Sequence, residues 1–161
     1  MSIRVGSRLP AASFVTMGAE GPATVDFAAR VAGKKVVVFG LPGAFTGPCS
    51  TIHIPSFIRT ADALRAKGVD EIICIAVNDP FVLKAWGEAT GAAKAGITMM
   101  GDADGAFTRA LGMDFTAPAI GLYGRSNRYA LVLEDGAVTV ANVDKPNTCD
   151  ISKGEALLAA M

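Results

Sequence analysis

The sequence predicts one α/β domain over residues 1–161, built on a central mixed β-sheet with helices on both faces. Short β-branched and aliphatic runs, typical of buried strands, alternate with segments of helical periodicity along most of the chain. Two further strand-like segments then meet at a tight turn, and a final helical segment follows them. No repeat, low-complexity tract or long linker divides the chain, so its length suits a single domain.

The first predicted strand is residues 35–39, a β-branched run expected of a strand that is buried on both faces. The helix after it is predicted from apolar residues at helical spacing, a pattern that ends near Gly68. These apolar residues are Ile54, Phe57, Ile58, Ala61 and Leu64. Pro55 cannot donate a backbone N–H, so a helix that starts near Pro48 should kink or loosen there.

A second apolar strand, residues 71–77, leads into another helix. Asp79 is a suitable N-cap for that helix, and Pro80 suits its first position because an N–H would have no partner there. The helical spacing predicts an inner face made of Val82, Ala85, Trp86 and Ala89.

Residues 97–100 are predicted to form a third strand, and residues 102–105 are interpreted as the turn before a short helix. That turn contains two aspartates, but the later ligands of a calcium loop are missing. Residues 128–134 and 137–143 are predicted to pair as a hairpin, because the Asp-Gly pair between them is a strong two-residue turn signal.

The last helix is predicted from Ser152 and Glu155, which have the spacing of a capping box, and it should end at Met161. Strands therefore alternate with helices first, and a hairpin and a last helix follow. This order implies a central mixed sheet that is covered by helices on both faces.

The composition argues against nucleic-acid binding and membrane insertion. The 15 basic and 15 acidic residues cancel, whereas a nucleic-acid-binding protein normally shows a basic excess or stripe. The apolar stretches are interrupted well before the ~20 residues that a membrane span needs. The N-terminal segment lacks the apolar core of ~7–15 residues found in secretory signals, so a cytoplasmic protein is expected.

Three cysteines, Cys49, Cys74 and Cys149, are too few and too scattered for a secreted domain held by disulfides. No Cys-x-x-Cys pair occurs, which argues against a zinc ribbon or a thioredoxin-type dithiol. A closed zinc site would need all three cysteines and the single histidine, His53, so no metal site is expected.

Cys49 lies between a Pro-Gly bend that begins at Pro42 and the helical pattern that follows. If Pro48 is the first helical residue, Cys49 lies in the first turn of the helix. Unpaired backbone N–H groups and the positive end of the helix dipole favour an anion there, which indicates a reactive thiolate. A buried structural cysteine is the alternative, and position alone leaves both interpretations open.

The residues around Cys49 resemble the active-site signature of the peroxiredoxins. Pro42, Thr46 and Cys49 stand in the pattern Pro-x-x-x-Thr-x-x-Cys, and the longer string PGAFTGPCSTIHIPSF is similar to the type II, or five-like, subgroup. The similarity continues in IRVGSRLP, KGVDEIICIAVNDPFVLKAW and GRSNRYALVLEDGAV. One position departs from the family pattern, because Gly47 follows the threonine where the family usually has proline.

This resemblance implies a thioredoxin-like fold with peroxiredoxin insertions, and a thiol-dependent peroxidase that reduces hydrogen peroxide and alkyl hydroperoxides. Cys49 matches the peroxidatic cysteine, whose thiolate becomes a sulfenic acid, and Thr46 matches the threonine that bonds to peroxide and thiolate. Pro42 matches the proline that shields the sulfur. Arg128 matches the arginine that stabilises negative charge, with Arg125 as a nearby competitor. The thiolate is itself the nucleophile, so no metal, flavin or haem is expected.

Two cysteines are candidates for resolving the sulfenic acid. Cys74 resembles the second cysteine of the plant-type block, and the alternative for it is a small core side chain. Cys149 resembles in position the resolving cysteine of animal five-like members, and the alternative for it is an exposed loop thiol. Direct reduction that uses neither cysteine is a third route. The resemblance implies thioredoxin, glutaredoxin or glutathione as electron donor, and a homodimer.

His53 lies four residues after Cys49, so a continuous helix would place both on one face. The resemblance implies a supporting role for His53. A Cys-His hydrolase with His53 as its base is one alternative, and a non-catalytic redox sensor on the same fold is another. The complete set of matched residues favours the peroxidase over the sensor, because a sensor does not need rapid peroxide chemistry.

Overall fold

A seven-stranded sheet runs through the computed structural model, which describes residues 3–161. The strands are β1 (Ser13–Gly18), β2 (Gly21–Asp26), β3 (Lys35–Gly40), β4 (Glu71–Ala76), β5 (Ile97–Gly101), β6 (Asp114–Ala117), β7 (Leu122–Ser126), β8 (Tyr129–Glu134) and β9 (Ala137–Val143). The α-helices are α1 (Phe27–Val31), α2 (Ile54–Ala66), α3 (Pro80–Thr90), α4 (Ala106–Ala110) and α5 (Gly154–Ala160). None of the helices in this described range is long and apolar enough to cross a membrane.

The order across the large sheet is β2-β1-β5-β4-β3-β8-β9, and β6 and β7 form a separate two-stranded sheet. β4 pairs in parallel with β3 and β5, whereas the other pairs in the large sheet are antiparallel. The predicted mixed sheet is therefore confirmed. Because the three parallel strands end at the same edge, the loops that follow them converge there.

Alternate residues of β3 point into two hydrophobic cores, one on each face of the sheet. Val37 and Phe39 pack in the core that contains side chains of α2, α3 and α5. Val36 and Val38 pack in the other core, which contains side chains of α1 and α4. All four β3 residues are fully buried, so the prediction of a strand buried on both faces is confirmed.

The predicted hairpin is β8 and β9, joined by Asp135 and Gly136. Both turn residues have positive φ, 49° and 79°, as a two-residue hairpin turn requires. Two other hairpins, β1–β2 and β6–β7, were not predicted. β2 lies at the sheet edge and contains Pro22, so its sequence has little of the apolar alternation that identifies a half-buried strand.

The predicted inner face of α3 is partly wrong. Trp86 is buried and Val82 packs against the core, as predicted, whereas Ala85 and Ala89 are exposed. Pro80, Leu83 and Gly87 complete the buried face. The indole N–H of Trp86 donates to the Ser50 hydroxyl at 2.9 Å. The predicted start of α3 is confirmed, because Asp79 is its N-cap and the Asp79 carboxylate accepts the Val82 N–H at 2.9 Å.

The predicted capping box at the last helix is also wrong. Helix α5 begins at Gly154 with Lys153 as its N-cap, and it ends at Ala160. The Ser152 hydroxyl donates to the Asp144 carboxylate instead of to the helix backbone. A Cβ at Gly154 would lie 2.3 Å from the Thr60 hydroxyl oxygen, so glycine allows α5 to pack closely on α2.

Candidate active site

A pocket of about 640 Å³ lies between the loop after β3, the β6–β7 hairpin and the segment after β9. Four of the predicted site residues line it: Pro42, Thr46, Arg128 and Cys149. Much of the remaining lining is apolar and consists of Ile52, Phe115, Ala117, Ile120 and Leu122. The other three predicted residues, Cys49, His53 and Cys74, are fully buried.

Cys49 lies in the first turn of a helix, as predicted. Helical backbone begins at Gly47, and the Ser50 N–H donates to the Thr46 carbonyl at 3.1 Å. The N–H groups that precede Ser50 have no acceptor within the helix, as at any helix start. The Cys49 side chain is fully buried and packs in the core between the sheet and α2.

The helix is loosened directly after Cys49, which confirms the effect predicted for Pro55. Cys49–His53 is a π-helical turn, in which the Ile54 N–H donates to the Cys49 carbonyl. Regular α-helix follows in α2. Because Pro55 has no N–H to complete the α-helical ladder, the wider turn accommodates the break without ending the helix.

Two side chains hold the loop between β3 and Cys49. Asn78, which follows β4, accepts the Ala44 N–H at 2.9 Å, and Arg125 on β7 donates to the Pro42 carbonyl at 3.0 Å. A Cβ at Gly43 would lie 2.2 Å from the Arg125 guanidinium, so only glycine leaves room for this contact. Asn78 was not predicted as a site residue, although its place shortly after a parallel strand was the available signal.

The hydroxyl group of Thr46 has a defined orientation. It donates to the Gly43 carbonyl at 2.8 Å, so its proton is directed into the loop. A hydroxyl oxygen has two lone pairs, and it can therefore accept a hydrogen bond from a molecule in the pocket. As placed here, Thr46 is an acceptor for an O–H group rather than a donor.

Arg128 and His53 form a buried pair beside the pocket. The Arg128 Nη1 lies 3.1 Å from the His53 Nδ1, and the His53 Nε2 lies 3.0 Å from the Ser152 carbonyl oxygen. A guanidinium only donates, so Nδ1 is the unprotonated nitrogen and Nε2 carries the proton. Burial first, and then the positive charge of Arg128, lower the pKa of His53 to about 4.

This arrangement argues against the Cys-His hydrolase. A general base for Cys49 would need a free imidazole nitrogen, but Arg128 and the Ser152 carbonyl occupy both nitrogens of His53. His53 instead contacts the Arg128 guanidinium through Nδ1. Ser152 was not predicted as the partner of His53, because the two residues are 99 positions apart in the sequence.

The buried neutral histidine predicts a specific pH dependence of stability. Between pH 6.5 and about 4 the unfolded chain binds a proton at His53 that the folded chain excludes. The free energy of unfolding should therefore fall as the pH drops through this window, by about 3 kcal/mol in all. Urea unfolding at several pH values measures this loss.

His53→Gln is the matched control, because an amide keeps a donor and an acceptor but does not titrate in this range. The difference in unfolding free energy between wild type and His53→Gln should shrink as the pH is lowered, since only the wild type loses this contribution. Parallel curves for the two proteins would contradict a buried neutral His53.

The two remaining cysteines differ in accessibility. Cys74 lies within β4, fully buried, and pairs in register with Phe39 and Met99 on the neighbouring strands. Burial raises the pKa of the Cys74 thiol well above its usual range, and Cys49 adds to the shift. Cys149 is half-buried in the pocket wall, where burial raises the pKa of its thiol and the charge of Arg128 opposes the increase.

Comparison with known proteins gives consistent matches. A family model described as Redoxin matches residues 4–158. Peroxiredoxin-2B of Arabidopsis thaliana is 46% identical over 138 residues, 86% of this chain and 85% of that protein. The chloroplastic Peroxiredoxin-2E-2 of Oryza sativa subsp. japonica is 43% identical over 164 residues, 99% of this chain and 73% of that protein. The crystal structure of reduced Prx3 from Vibrio vulnificus in complex with H2O2 is 46% identical, with a TM-score of 0.91 and 98% coverage of each chain.

The fold is thioredoxin-like, and the protein is a thiol-dependent peroxidase, as the sequence predicted. The chain belongs to the Redoxin family and, within it, to the type II, or five-like, peroxiredoxins.

Proposed function

We propose that Cys49 is the peroxidatic cysteine and that Pro42, Thr46 and Arg128 assist it. The observation that carries this proposal is the pocket, where these three side chains converge beside the helix start that contains Cys49. A helix start favours the thiolate, and Arg128 adds a permanent positive charge to the pocket wall. Pro42 and Thr46 lie in the loop after β3, and Arg128 directly precedes β8, the strand that pairs with β3.

In the proposed step, the Cys49 thiolate attacks the terminal oxygen of a hydroperoxide. An S–O bond forms as the O–O bond breaks, so the sulfur is oxidised to sulfenic acid and the peroxide is reduced. The leaving alkoxide or hydroxide takes a proton from solvent and becomes an alcohol or water. Arg128 donates hydrogen bonds to the charge that develops on the leaving oxygen, while Thr46 accepts from the peroxide O–H.

Hydrogen peroxide and organic hydroperoxides are the proposed substrates. The apolar side chains that line the pocket are suited to the alkyl group of an organic hydroperoxide. A relative from Vibrio vulnificus was crystallised with H2O2, which supports the smaller substrate.

Cys149 is the proposed resolving cysteine. It lines the same pocket as Arg128, whereas Cys74 is a fully buried residue of β4 that is not part of the pocket lining. The Cys149 thiol attacks the Cys49 sulfenic acid, so an S–S bond forms and the sulfenic oxygen leaves as water. A thiol donor then reduces the disulfide to two thiols.

Peptide mass spectrometry under non-reducing conditions tests both roles. After one equivalent of hydrogen peroxide, the wild type should contain a Cys49–Cys149 disulfide. Cys149→Ser should instead retain a sulfenic acid on Cys49 that dimedone traps. Cys74→Ser, the matched control, should form the same disulfide as the wild type. A Cys49–Cys74 disulfide would reject Cys149 as the resolving residue, and an unmodified Cys49 would reject the peroxidatic role.

The protein is further proposed to be a homodimer that receives electrons from thioredoxin, glutaredoxin or glutathione in the cytoplasm. Four large apolar side chains on the loop after β3, on α3 and in the β6–β7 hairpin are 60–72% exposed, and a second copy would cover them: Phe45, Phe81, Ile120 and Tyr123. Sedimentation equilibrium tests the dimer, since a mass of 16.5 kDa in solution would be that of one chain.

All three cysteines are unpaired, which suits a reducing compartment.

A further inference from the structure

Asp144 is a buried carboxylate at the start of the segment that carries Cys149. It directly follows β9 and is only 6% exposed. Its Oδ1 accepts the Ile151 N–H at 2.8 Å, and its Oδ2 accepts the Asp150 N–H at 3.0 Å and the Ser152 hydroxyl. These bonds fold residues 144–152 into a closed loop around one carboxylate.

This loop is connected to Arg128 at two points. The Asp144 N–H donates to the Arg128 carbonyl at 3.1 Å. At the other end, the Ser152 carbonyl accepts from His53, which in turn accepts from the Arg128 guanidinium. The four residues form a closed ring of hydrogen bonds, and each of them is at most 8% exposed.

We propose that Asp144 is a positioning residue for Arg128. It fixes the Ser152 carbonyl, that carbonyl holds the proton of His53 on Nε2, and the unprotonated Nδ1 then orients the guanidinium. The inference rests on the proposed role of Arg128 in the peroxide step. Asp144 itself touches neither the peroxide nor the sulfur in this scheme, because it acts only through Ser152 and His53.

The tautomer of His53 links the loss of Asp144 to the position of Arg128 in the pocket. Without a fixed Ser152 carbonyl, the proton of the imidazole can move to Nδ1. An N–H at Nδ1 would face the guanidinium of Arg128, and neither group could accept. Arg128 would then have to turn away, since a buried donor without an acceptor is costly.

Single-turnover oxidation of Cys49 in a Cys149→Ser background tests the proposal, because this step does not require a resolving thiol. Asp144→Ala should slow the reaction of Cys49 with hydrogen peroxide by about tenfold to a hundredfold, the range expected when a group near the chemistry is misplaced. Ser152→Ala should slow it in the same direction but less, because it removes only one of the three bonds to the carboxylate. Asp144→Asn should recover part of the rate, since its side-chain oxygen can still accept the Ile151 N–H.

A second readout separates positioning from general destabilisation. The chain has one histidine, so the ¹⁵N signals of histidine report on His53 without assignment. The wild type should show the Nε2–H tautomer alone, and Asp144→Ala should show a mixture with the Nδ1–H form.

Asp102→Ala is the matched control. Asp102 is 3% exposed and accepts the Phe107 N–H, the Thr108 N–H and the Thr108 hydroxyl, so it resembles Asp144 in burial and bonding. These bonds form at the start of α4, on the other face of the sheet. Its loss should lower stability but leave the His53 tautomer and the oxidation rate unchanged.

The outcomes distinguish this inference from the role on which it rests. Arg128→Met should oxidise Cys49 slowly if the proposed function is correct. If Asp144→Ala and Ser152→Ala nevertheless keep the wild-type oxidation rate, or a single tautomer of His53, the positioning role of Asp144 is wrong and the proposed function stands. If Arg128→Met reacts at the wild-type rate, the role of Arg128 fails and the inference fails with it. Should Asp144→Ala not fold, Ser152→Ala decides the question by the same two measurements.

Discussion

Cys49→Ser should lower peroxide consumption to the rate measured without protein. A serine hydroxyl is not ionised near neutral pH, and it is a far weaker nucleophile towards the O–O bond than a thiolate. The change replaces one small buried side chain with another, so the fold should persist. Loss of hydrogen peroxide and of an alkyl hydroperoxide, each followed with a thiol donor present, measures the effect.

Cys74→Ser is the control for this variant, because it makes the same chemical change at another fully buried cysteine. It should retain turnover, with some loss of stability from the hydroxyl placed inside the sheet. Multiple turnovers in Cys49→Ser would reject Cys49 as the reacting group. An equal loss of peroxide turnover in both variants would indicate that a hydroxyl in the core disturbs the fold, and that the effect is not specific to the reacting thiol.

Arg128→Met should slow the oxidation of Cys49 by about 10²–10³-fold, the loss seen when one fixed donor to developing negative charge is removed. Methionine keeps an unbranched apolar stem but has neither charge nor donors, so the leaving oxygen loses its stabilisation. Stopped-flow fluorescence can follow the reaction, because Trp86 is the only tryptophan and its indole N–H is bonded to Ser50, next to Cys49.

Arg125→Met is the informative comparison for Arg128→Met. Arg125 holds the Pro42 carbonyl, and it is not among the residues that line the pocket. Its loss should loosen the loop and reduce the rate less than the loss of Arg128. If Arg125→Met were the slower variant, the electrostatic role would belong to Arg125.

Elements whose determinants lie close together in the sequence were predicted well. The β-branched run of β3, the Asp79 cap of α3 and the Asp-Gly turn between β8 and β9 each depend on residues within one element or turn. Pro55 acts through a missing backbone N–H on its own helix, so the loosened turn at Cys49 was predictable too. The complete buried face of α3 was not predicted, because it depends on how the helix packs against β1 and β5.

The amino-acid sequence by itself determined the class of sheet, the position of Cys49 in the first turn of a helix, and the family. Each of these depends on local periodicity or on a short motif, which can be recognised without the fold. Only the tertiary structure decided which nitrogen of His53 carries the proton and what orients Arg128. Those properties depend on partners 99 and 75 positions away from His53, which only the folded sheet brings within hydrogen-bond distance. Ser152 is a further example. Its spacing from Glu155 predicted a helix cap, but in the folded chain its hydroxyl donates to the buried carboxylate of Asp144, eight residues earlier.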